Sequence, residues 1–330
     1  MSSLRRRLAG NPMLKEVRTR IRILLVTHRW RPAWITLAPS GHVIHVDPAE
    51  PRGWGIVHGL GRGHQPALIA LWCRCVDVLG PDVVVDVGAN YGELTLAPRY
   101  RVASTVYAVE GNPRVADLLE RSIAHHPDSG RIRLHRCLVS DVDGGNAVLH
   151  VDPQWSGSAS IAPGAATAST VGIEVPVRTV DALLAGAGDD GAGEGLVRGR
   201  RLLMKIDAEG WEAHIMEGAR DTLRNAGTRV LLVEFDPDHL RRAGTDADAL
   251  FATLSTLGAT WSVTHDGSID EVHSAPVVTT DLLVVSDPEV ASRIVGRPTN
   301  RRPMGGRPGS ADDQSAVAGD HLAHGEGPGP

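Results

Sequence analysis

The sequence feature that most constrains the fold is the segment at residues 82–95, which reads DVVVDVGANYGELT. Its valine-rich run is typical of a strand that is buried on both faces of a parallel sheet. Gly88 ends the run, Gly92 follows four residues later, and an apolar pattern with helical spacing begins at Glu93. A strand, a glycine turn and a helix in this order form the unit that binds nucleotide-like ligands, because glycine lets the backbone come close to the ligand.

The glycine turn departs from the G-x-G-x-x-G pattern of dinucleotide-binding proteins. It reads Asp86-x-Gly88-x-Asn90-x-Gly92, so that Asn90 occupies a glycine position, the third glycine is missing and a carboxylate ends the strand. The Asp86 carboxylate would repel a pyrophosphate but attract the ammonium group of a methionine-like tail. The turn resembles motif I of the Rossmann-like methyltransferases that use S-adenosylmethionine (SAM). A dinucleotide site, and an ordinary turn whose glycines serve tight packing, remain as alternatives.

The composition is that of a globular protein and speaks against several classes of function. Of the 330 residues 42% are hydrophobic, which is enough for a sizeable core, and the net charge of −5 gives no support for a nucleic-acid partner. The three cysteines, Cys73, Cys75 and Cys137, form no regular disulfide framework. The apolar run at 21–26 is interrupted by Arg22 and is too short for a signal peptide or a membrane span. We therefore expect a cytoplasmic protein without stable membrane insertion, and we make no prediction of its oligomeric state.

Two further strands are predicted to complete a nucleotide-binding site. The strand Thr105–Val109 ends at Glu110, about 20 residues after the glycine turn, where such folds place the acid that binds the ribose hydroxyls. Asn112 follows as the expected N-cap of a helix that begins with proline. A strand at 132–139 leads to Asp141, which either accepts a hydrogen bond from the adenine amino group or caps its own loop.

A second informative segment, RLLMKIDAEGWE, places charges at the end of an apolar strand. Lys205, Asp207 and Glu209 lie where this strand ends, and a later strand at 229–235 carries Glu234 near its own end. Ligands of open α/β sheets bind at this edge of the strands. Burying such charges without partners is costly, so their presence predicts mutual pairing or contact with a ligand.

Five segments together resemble the FkbM family of SAM-dependent methyltransferases. The elements DVGAN and KIDAEGWE are specific in combination, and all five segments occur in the family's order. The resemblance implies a Rossmann-like class I α/β fold, with a seven-stranded, mostly parallel sheet, helices on both faces and a reversed last strand. It also implies methyl transfer to a hydroxyl of a sugar, glycan or natural-product acceptor. The segments are VVVDVGANYGELTL (83–96), VYAVEGNP (106–113), VRTVDALL (177–184), LLMKIDAEGWEAHIMEGA (202–219) and LLVEFDP (231–237).

The resemblance also implies roles for individual residues. The set that would bind the cofactor, in chain order, is Asp86, Gly88, Asn90, Gly92, Glu110, Asn112 and Asp141. The candidates for orienting the acceptor and removing its proton are Asp207, Glu209 and Glu234, with Lys205 positioning one of these carboxylates. His214 and His239 are further candidates, and for His214 a packing role is the alternative.

Three alternatives involve the same residues. A dinucleotide-dependent oxidoreductase of the NAD type is disfavoured by Asp86 and Asn90. A non-catalytic SAM-binding module would bind SAM without methylating any acceptor. Asp207 and Glu234 could contribute oxygen ligands to a divalent metal, but no tight cluster of ligands is evident in the sequence, so no metal site is predicted.

The chain is predicted to consist of three parts. Residues 1–79 comprise a basic amphipathic helix, a hairpin, a loop rich in proline and glycine, and a lead-in helix. Residues 80–287 form the methyltransferase domain, with a mobile loop at 153–172 near the acceptor and a flexible insertion at 185–200. Residues 288–330 form a disordered tail.

Overall fold

Strands and helices alternate along most of the chain, and the computed structural model describes residues 12–38, 40–161, 166–186 and 197–296. The strands are β1 (Trp34–Thr36), β2 (Val43–His45), β3 (Val83–Val87), β4 (Thr105–Val109), β5 (Ile132–His135), β6 (Leu138–Val139), β7 (Asn146–Asp152), β8 (Trp155–Ser160), β9 (Val171–Arg178), β10 (Arg201–Ile206), β11 (Thr228–Phe235), β12 (Ala259–Val263), β13 (Ile269–Glu271) and β14 (Thr280–Val285). The helices are α1 (Pro12–Thr27), α2 (Pro51–His58), α3 (Pro66–Leu79), α4 (Glu93–Leu96), α5 (Pro113–Ala124), α6 (Val180–Ala185), α7 (Glu212–Gly218), α8 (Arg220–Asn225), α9 (Pro237–Arg242), α10 (Ala247–Leu257) and α11 (Pro288–Val295).

Eight of these strands form the main sheet, in the order β13-β12-β14-β11-β10-β3-β4-β5. The five strands from β11 to β5 run parallel, whereas β14 is antiparallel to β11, and β12 is antiparallel to both β14 and β13. The predicted count of seven strands is wrong, because the chain turns back after β12 at Gly267, with φ +87°, and adds the three-residue β13 to the edge.

β3 lies in the middle of the parallel strands, between β4 and β10, and four of its five residues are valines. Val84 packs into the core on one face, together with α3 and α5, whereas Val83 and Val85 pack into the core on the other face with α6 and α7. All five residues of β3 are buried, and each fully buried valine contributes about 1.5–3 kcal/mol. Helices therefore cover both faces, as predicted, and the end of β3 is fixed by packing on either side.

The segment before α3 contains a helix instead of the predicted loop. α2 begins with Pro51, and the Glu50 side chain caps it by accepting hydrogen bonds from Arg52 N and Gly53 N. The cap and the proline outweigh the two glycines of α2, which lower its helix propensity. The predicted hairpin β1–β2 and the helix α3 are confirmed. Buried residues of α1, β1 and β2 belong to the same core as α3.

A second sheet of four strands, in the order β6-β9-β7-β8, corrects two predictions. The predicted mobile loop at 153–172 contains β8, which pairs antiparallel with β7, and the first residues of β9. The predicted strand at 132–139 is divided, because β5 belongs to the main sheet and β6 to the second one. Paired strands therefore occupy much of the region where a loop was expected.

The chain continues as regular structure past the predicted end of the domain. α11 carries the buried Ile294, whose carbonyl oxygen accepts a hydrogen bond from Arg74 Nη1 of α3. The predicted start of the tail at residue 288 is therefore wrong. Residues 297–330, and residues 187–196 of the predicted insertion, lie outside the described part of the chain. None of the helices in the described ranges is long and apolar enough to cross a membrane.

Candidate active site

Two adjoining cavities lie where the parallel strands of the main sheet end. The first cavity follows the ends of β3 and β4 and reaches Trp211. The second cavity lies over the ends of β3, β10 and β11 and includes Lys205 and Glu234. Ligands of open α/β sheets bind at this edge. The residues that line both cavities are Arg52, Gly88, Gly157, Asp207 and Glu209.

The glycine turn after β3 contains three left-handed residues, Gly88, Asn90 and Gly92. Gly88 has φ +72°, and a Cβ atom there would lie 2.0 Å from the carbonyl oxygen of Asp207, so that packing on the loop after β10 requires glycine. Asn90 has φ +51°, a region that asparagine enters more readily than most residues. Its side chain accepts from Tyr91 N at 2.9 Å and donates to the Ser156 carbonyl oxygen at 3.2 Å. These contacts explain how asparagine replaces a glycine in the turn.

Asp86 is buried at the end of β3, beside the second cavity. Its Oδ2 accepts a hydrogen bond from Thr95 Oγ1 at 2.6 Å, and its Oδ1 has no hydrogen-bond partner among the described residues. Burial raises the pKa of Asp86, although the Lys205 ammonium, 4.0 Å away, opposes this shift. An unpartnered buried oxygen at a cavity fits a cationic group of a ligand.

Glu110 is buried at the end of β4 and lines the first cavity. One carboxylate oxygen accepts from Asn90 N at 2.8 Å and the other from Asn112 N at 2.7 Å, so that Glu110 ties the glycine turn to the start of α5. Burial raises the pKa of this carboxyl group, and the two backbone amides act in the opposite direction. Each oxygen keeps a second lone pair, which is available to a hydroxyl group in the cavity.

Three of the residues predicted to bind the cofactor line neither cavity. Gly92, with φ +87°, begins α4. Asn112 caps α5 as predicted, because its Oδ1 accepts from Arg114 N at 3.2 Å. Asp141 accepts a hydrogen bond from Ser140 Oγ at 2.8 Å within its own loop. Of the three, Asn112 contacts a residue of the first cavity, because its backbone N–H donates to Glu110.

Trp211 was not among the predicted site residues, yet it forms a wall of the first cavity beside β6. Its Nε1 donates to Ser140 Oγ at 3.0 Å, and its ring stacks on His214 at a centroid distance of 4.0 Å. His214 Nδ1 also lies 3.2 Å from Asp141 Oδ2, and His214 lines neither cavity, so the structure favours its packing role. In the sequence, Trp211 could be recognised only as an aromatic residue that follows the charged residues at the end of β10.

Lys205 is buried between two carboxylates at the second cavity. Its Nζ lies 2.9 Å from Asp207 Oδ2 and donates to the carbonyl oxygen of Gly88 at 3.0 Å. Burial would lower the pKa of Lys205, but Asp207 and Asp86 raise it above its ordinary value. Burial opposes ionisation of Asp207 as well, yet Lys205 holds the pKa of Asp207 below its usual range. The contact with Lys205 therefore favours the ionised form of Asp207, which lines both cavities.

Glu209, Glu234 and His239 meet beside Asp207, although they come from three different elements. One oxygen or nitrogen atom of each lies within 4.8 Å of the other two. Glu209 Oε2 lies 2.9 Å from His239 Nδ1, in an ion pair that raises the pKa of the imidazole. Burial, together with the charges of Asp207 and Glu209, raises the pKa of Glu234 well above its ordinary value. No spacing in the sequence indicates this cluster, because its members meet only in the folded chain.

Arg52 of α2 lines both cavities. It was not predicted as a site residue, because a loop was expected in place of α2. Arg52 Nη2 lies 3.6 Å from Glu93 Oε2. Glu50 fixes this region, because it accepts from the Tyr91 hydroxyl at 2.8 Å and from Ser156 N at 2.9 Å in addition to capping α2. One buried carboxylate thus ties α2 to the glycine turn and to β8.

Solved structures match the chain only at low similarity. A Klebsiella pneumoniae protein described as an O-methyltransferase is 12% identical, with a TM-score of 0.37, over 84% of this chain and 91% of that one. TomG, an O-methyltransferase of Streptomyces achromogenes involved in tomaymycin synthesis, is 13% identical, with a TM-score of 0.36, over 68% and 80%. A Bacillus cereus O-methyltransferase in complex with SAH is 10% identical, with a TM-score of 0.37, over 67% and 81%. Matches at these scores carry no conclusion, and no curated protein matches the sequence.

The match to a protein family is more informative. The family model described as the methyltransferase FkbM domain matches residues 86–260, from the end of β3 to the start of β12. This range covers more than half of the chain and includes Glu110 and Asp207. The chain therefore belongs to the FkbM methyltransferase family, and its cofactor is S-adenosylmethionine.

Proposed function

We propose that this protein transfers the methyl group of SAM to a hydroxyl oxygen of a sugar, glycan or natural-product acceptor. The observation that carries the proposal is the position of Asp207, which lies on the wall shared by the two cavities and is paired with Lys205 at 2.9 Å. One cavity contains Glu110, the residue expected at the ribose, and polar side chains line the other at the same strand edge. A carboxylate between a methyl donor and a hydroxyl group is in the position of a general base.

The first cavity suits the adenosine part of SAM. Glu110 presents its carboxylate for the ribose, and Trp211, Val139 and Ile215 provide an apolar wall for the adenine. The unpartnered Oδ1 of Asp86 fits the ammonium group of the methionine part. SAM supplies a methyl group that its sulfonium sulfur has already activated.

The second cavity suits an acceptor that is rich in hydroxyl groups. Arg52, Gln65 and Glu93 offer hydrogen-bond donors and acceptors, and Trp155 offers an aromatic ring whose centroid lies 6.1 Å from that of His64. Sugars combine hydroxyl groups with an apolar ring face, which polar side chains beside an indole can recognise together. The net charge of −5 favours a small molecule or glycan over a nucleic acid as acceptor.

The mechanism requires that the acceptor oxygen lies in line with the methyl group, that water is excluded and that a proton is accepted. Asp207 accepts the hydroxyl proton, and Lys205 holds the carboxylate through its contact of 2.9 Å. The pKa of Glu234 is raised and that of Asp207 is lowered, so a proton at this edge favours Glu234 over Asp207. Because Lys205 also donates to Gly88, the base and the glycine turn are joined.

The variant Asp207→Asn tests this proposal, because asparagine keeps the shape of the side chain but does not act as a base. We expect turnover to fall by about 100- to 10,000-fold, while the affinity for S-adenosylhomocysteine (SAH) changes little. Mass spectrometry follows SAH formation with a panel of glycosides, oligosaccharides and polyketide alcohols. Calorimetry measures SAH affinity, with NAD as the negative control. Asp270→Asn is the matched control, because Asp270 is exposed on β13 and lines neither cavity.

Each outcome of this experiment has a clear meaning. Wild-type turnover in Asp207→Asn would exclude this residue as the base. SAH binding without methylation of any acceptor would favour a non-catalytic SAM-binding module. Binding of NAD alone would favour an oxidoreductase and overturn the proposal.

We also propose a cytoplasmic location, which rests on the cysteines. Cys73, Cys75 and Cys137 are all free thiols. Burial raises the pKa of the Cys73 thiol to about 11 and that of the Cys75 thiol to about 12. Unpaired thiols are typical of proteins in a reducing compartment.

A further inference from the structure

We propose that Glu209, Glu234 and His239 bind a divalent cation beside the second cavity. Two carboxylate oxygens and one imidazole nitrogen lie within 4.8 Å of one another, close enough to converge on a single ion. This mixed donor set suits Mn²⁺ or Zn²⁺ better than Ca²⁺, because Ca²⁺ takes about six to eight oxygen ligands. The proposal goes beyond methyl transfer, since the binding of a cation can be established without any acceptor.

The backbone is shaped to bring Glu209 to His239. Glu209 has φ +54°, a left-handed conformation that is strained for glutamate. The next residue, Gly210, has φ +104°, and a Cβ atom there would lie 2.5 Å from the carbonyl oxygen of His239. The loop after β10 therefore packs directly on α9, and this contact maintains the strain at Glu209. Strained residues of this kind are concentrated at binding sites.

One oxygen of the cluster lacks the partner that a buried polar atom normally has. Glu234 Oε2 and His239 Nδ1 are both shielded from solvent, and Glu234 Oε2 has no hydrogen-bond partner among the described residues. The approach of Glu209 Oε2 to His239 Nδ1 at 2.9 Å is an ion pair and not an aligned hydrogen bond. Lys205, the buried ammonium at this edge, is engaged by Asp207 and Asp86. A cation would satisfy Glu234 Oε2 and balance the excess of carboxylates.

The position of the cluster gives the cation a role in acceptor binding. Glu209 and Glu234 both line the second cavity, next to Asp207. Three protein ligands leave coordination positions open, so a bound cation could hold an acceptor oxygen and make its hydroxyl proton easier to remove. This last step rests on the proposed methyl transfer, whereas cation binding itself does not.

The proposal is tested by measuring Mn²⁺ binding with electron paramagnetic resonance, on the full chain from which EDTA has first removed any bound metal. As Mn²⁺ is added, the signal of free Mn²⁺ should stay below that of a protein-free control until one ion is bound per chain. Spin-echo spectra of the bound ion should show coupling to one imidazole nitrogen. We expect His239→Ala and Glu234→Gln to weaken Mn²⁺ affinity by at least about tenfold. His214→Ala is the matched control, because His214 also pairs with a carboxylate, at 3.2 Å, but outside both cavities, and it should bind Mn²⁺ like the wild type.

The outcomes separate this proposal from the proposed methyl transfer. Absence of saturable Mn²⁺ binding to the wild type, or equal affinity in His239→Ala, would overturn the cation site. Where circular dichroism shows that a variant does not fold, the nitrogen coupling in the wild type decides, and its absence refutes the site. Calorimetry with SAH on the same samples completes the test. Binding of Mn²⁺ without SAH would refute the methyltransferase proposal alone, and binding of SAH without Mn²⁺ would refute the cation site alone.

Discussion

Replacing Glu110 by glutamine tests the cofactor site most directly, because this carboxylate has two roles that can be separated. It holds the glycine turn through Asn90 N and the start of α5 through Asn112 N, and it also faces the cavity in which the ribose is expected. Glutamine keeps one oxygen acceptor and replaces the other with an NH₂ donor. The variant therefore loses one backbone contact and any charge-assisted hydrogen bond to the ribose.

The two losses in Glu110→Gln have different sizes and different measurements. One buried backbone N–H loses its acceptor, so the free energy of unfolding should fall by about 1–3 kcal/mol. A charge-assisted hydrogen bond to a ribose hydroxyl is worth about 1.5–3 kcal/mol, which corresponds to a loss of about 10- to 150-fold in SAH affinity. Denaturation in urea measures the first loss, and calorimetry measures the second.

A comparison of two ligands separates the structural role of Glu110 from ribose binding. SAH and an SAH analogue that lacks both ribose hydroxyls are titrated into the wild type and into Glu110→Gln. If the Glu110 carboxylate binds the ribose hydroxyls, the wild type should bind the analogue about 10- to 150-fold more weakly than SAH. The affinity of Glu110→Gln should differ much less between the two ligands, as in a double-mutant cycle. Equal losses in the two proteins would show that Glu110 only positions the turn, and they would refute its assignment to the ribose.

Two further substitutions concern buried carboxylates that support the site. Glu50→Ala should lower the free energy of unfolding in urea by about 3–5 kcal/mol, because three backbone amides and the Tyr91 hydroxyl lose their acceptor, and a loss below about 1 kcal/mol would contradict this. Burial raises the pKa of Glu212 from 4.5 to about 7, so the folded protein binds this proton more tightly than the unfolded chain, and stability falls as the pH rises through this window. Glu212→Gln should remove this fall in stability, because glutamine does not titrate. The glutamine Oε1 can still accept from Ala208 N and Gly210 N, as the Glu212 Oε1 does. The free energy of unfolding in urea is measured for the wild type and for Glu212→Gln at about pH 5 and about pH 8. The same change with pH in both proteins would contradict the assignment of this fall in stability to Glu212.

The sequence predicts the parts of the fold in which local chemistry decides the structure. Val83 and Val84 pack into opposite cores, as the two-residue period of a strand requires. Glu110 could be predicted to lie at the end of β4, because one helix and one strand separate it in sequence from the glycine turn. Lys205 and Asp207 were identified because both lie at the end of one buried strand, where a charge needs a partner, and the structure pairs them at 2.9 Å.

The strands and helix that close the site could not be predicted in this way. β8 reads WSGSAS, whose small polar residues are typical of a loop, and it becomes a strand because β7 supplies backbone partners. Arg52 was missed for a related reason. Its helix contains two glycines and depends on Glu50, whose other partners, Tyr91 and Ser156, lie far along the chain. In both cases contacts between distant segments outweigh local propensity.

The charged edge of the sheet depends on lysine instead of arginine at residue 205. The chain has 34 lysine and arginine residues, of which only Lys15 and Lys205 are lysines, so arginine is its usual cation. The Lys205 ammonium is compact and has three donors, and it lies near three oxygens, one each of Asp207, Gly88 and Asp86. A guanidinium would pair with one carboxylate through its planar fork, and its larger head would press on a turn in which Gly88 already leaves no space for a Cβ atom. Lysine therefore lets one cation balance both Asp86 and Asp207, the proposed base, and its bond to Gly88 holds the glycine turn and Asp207 together.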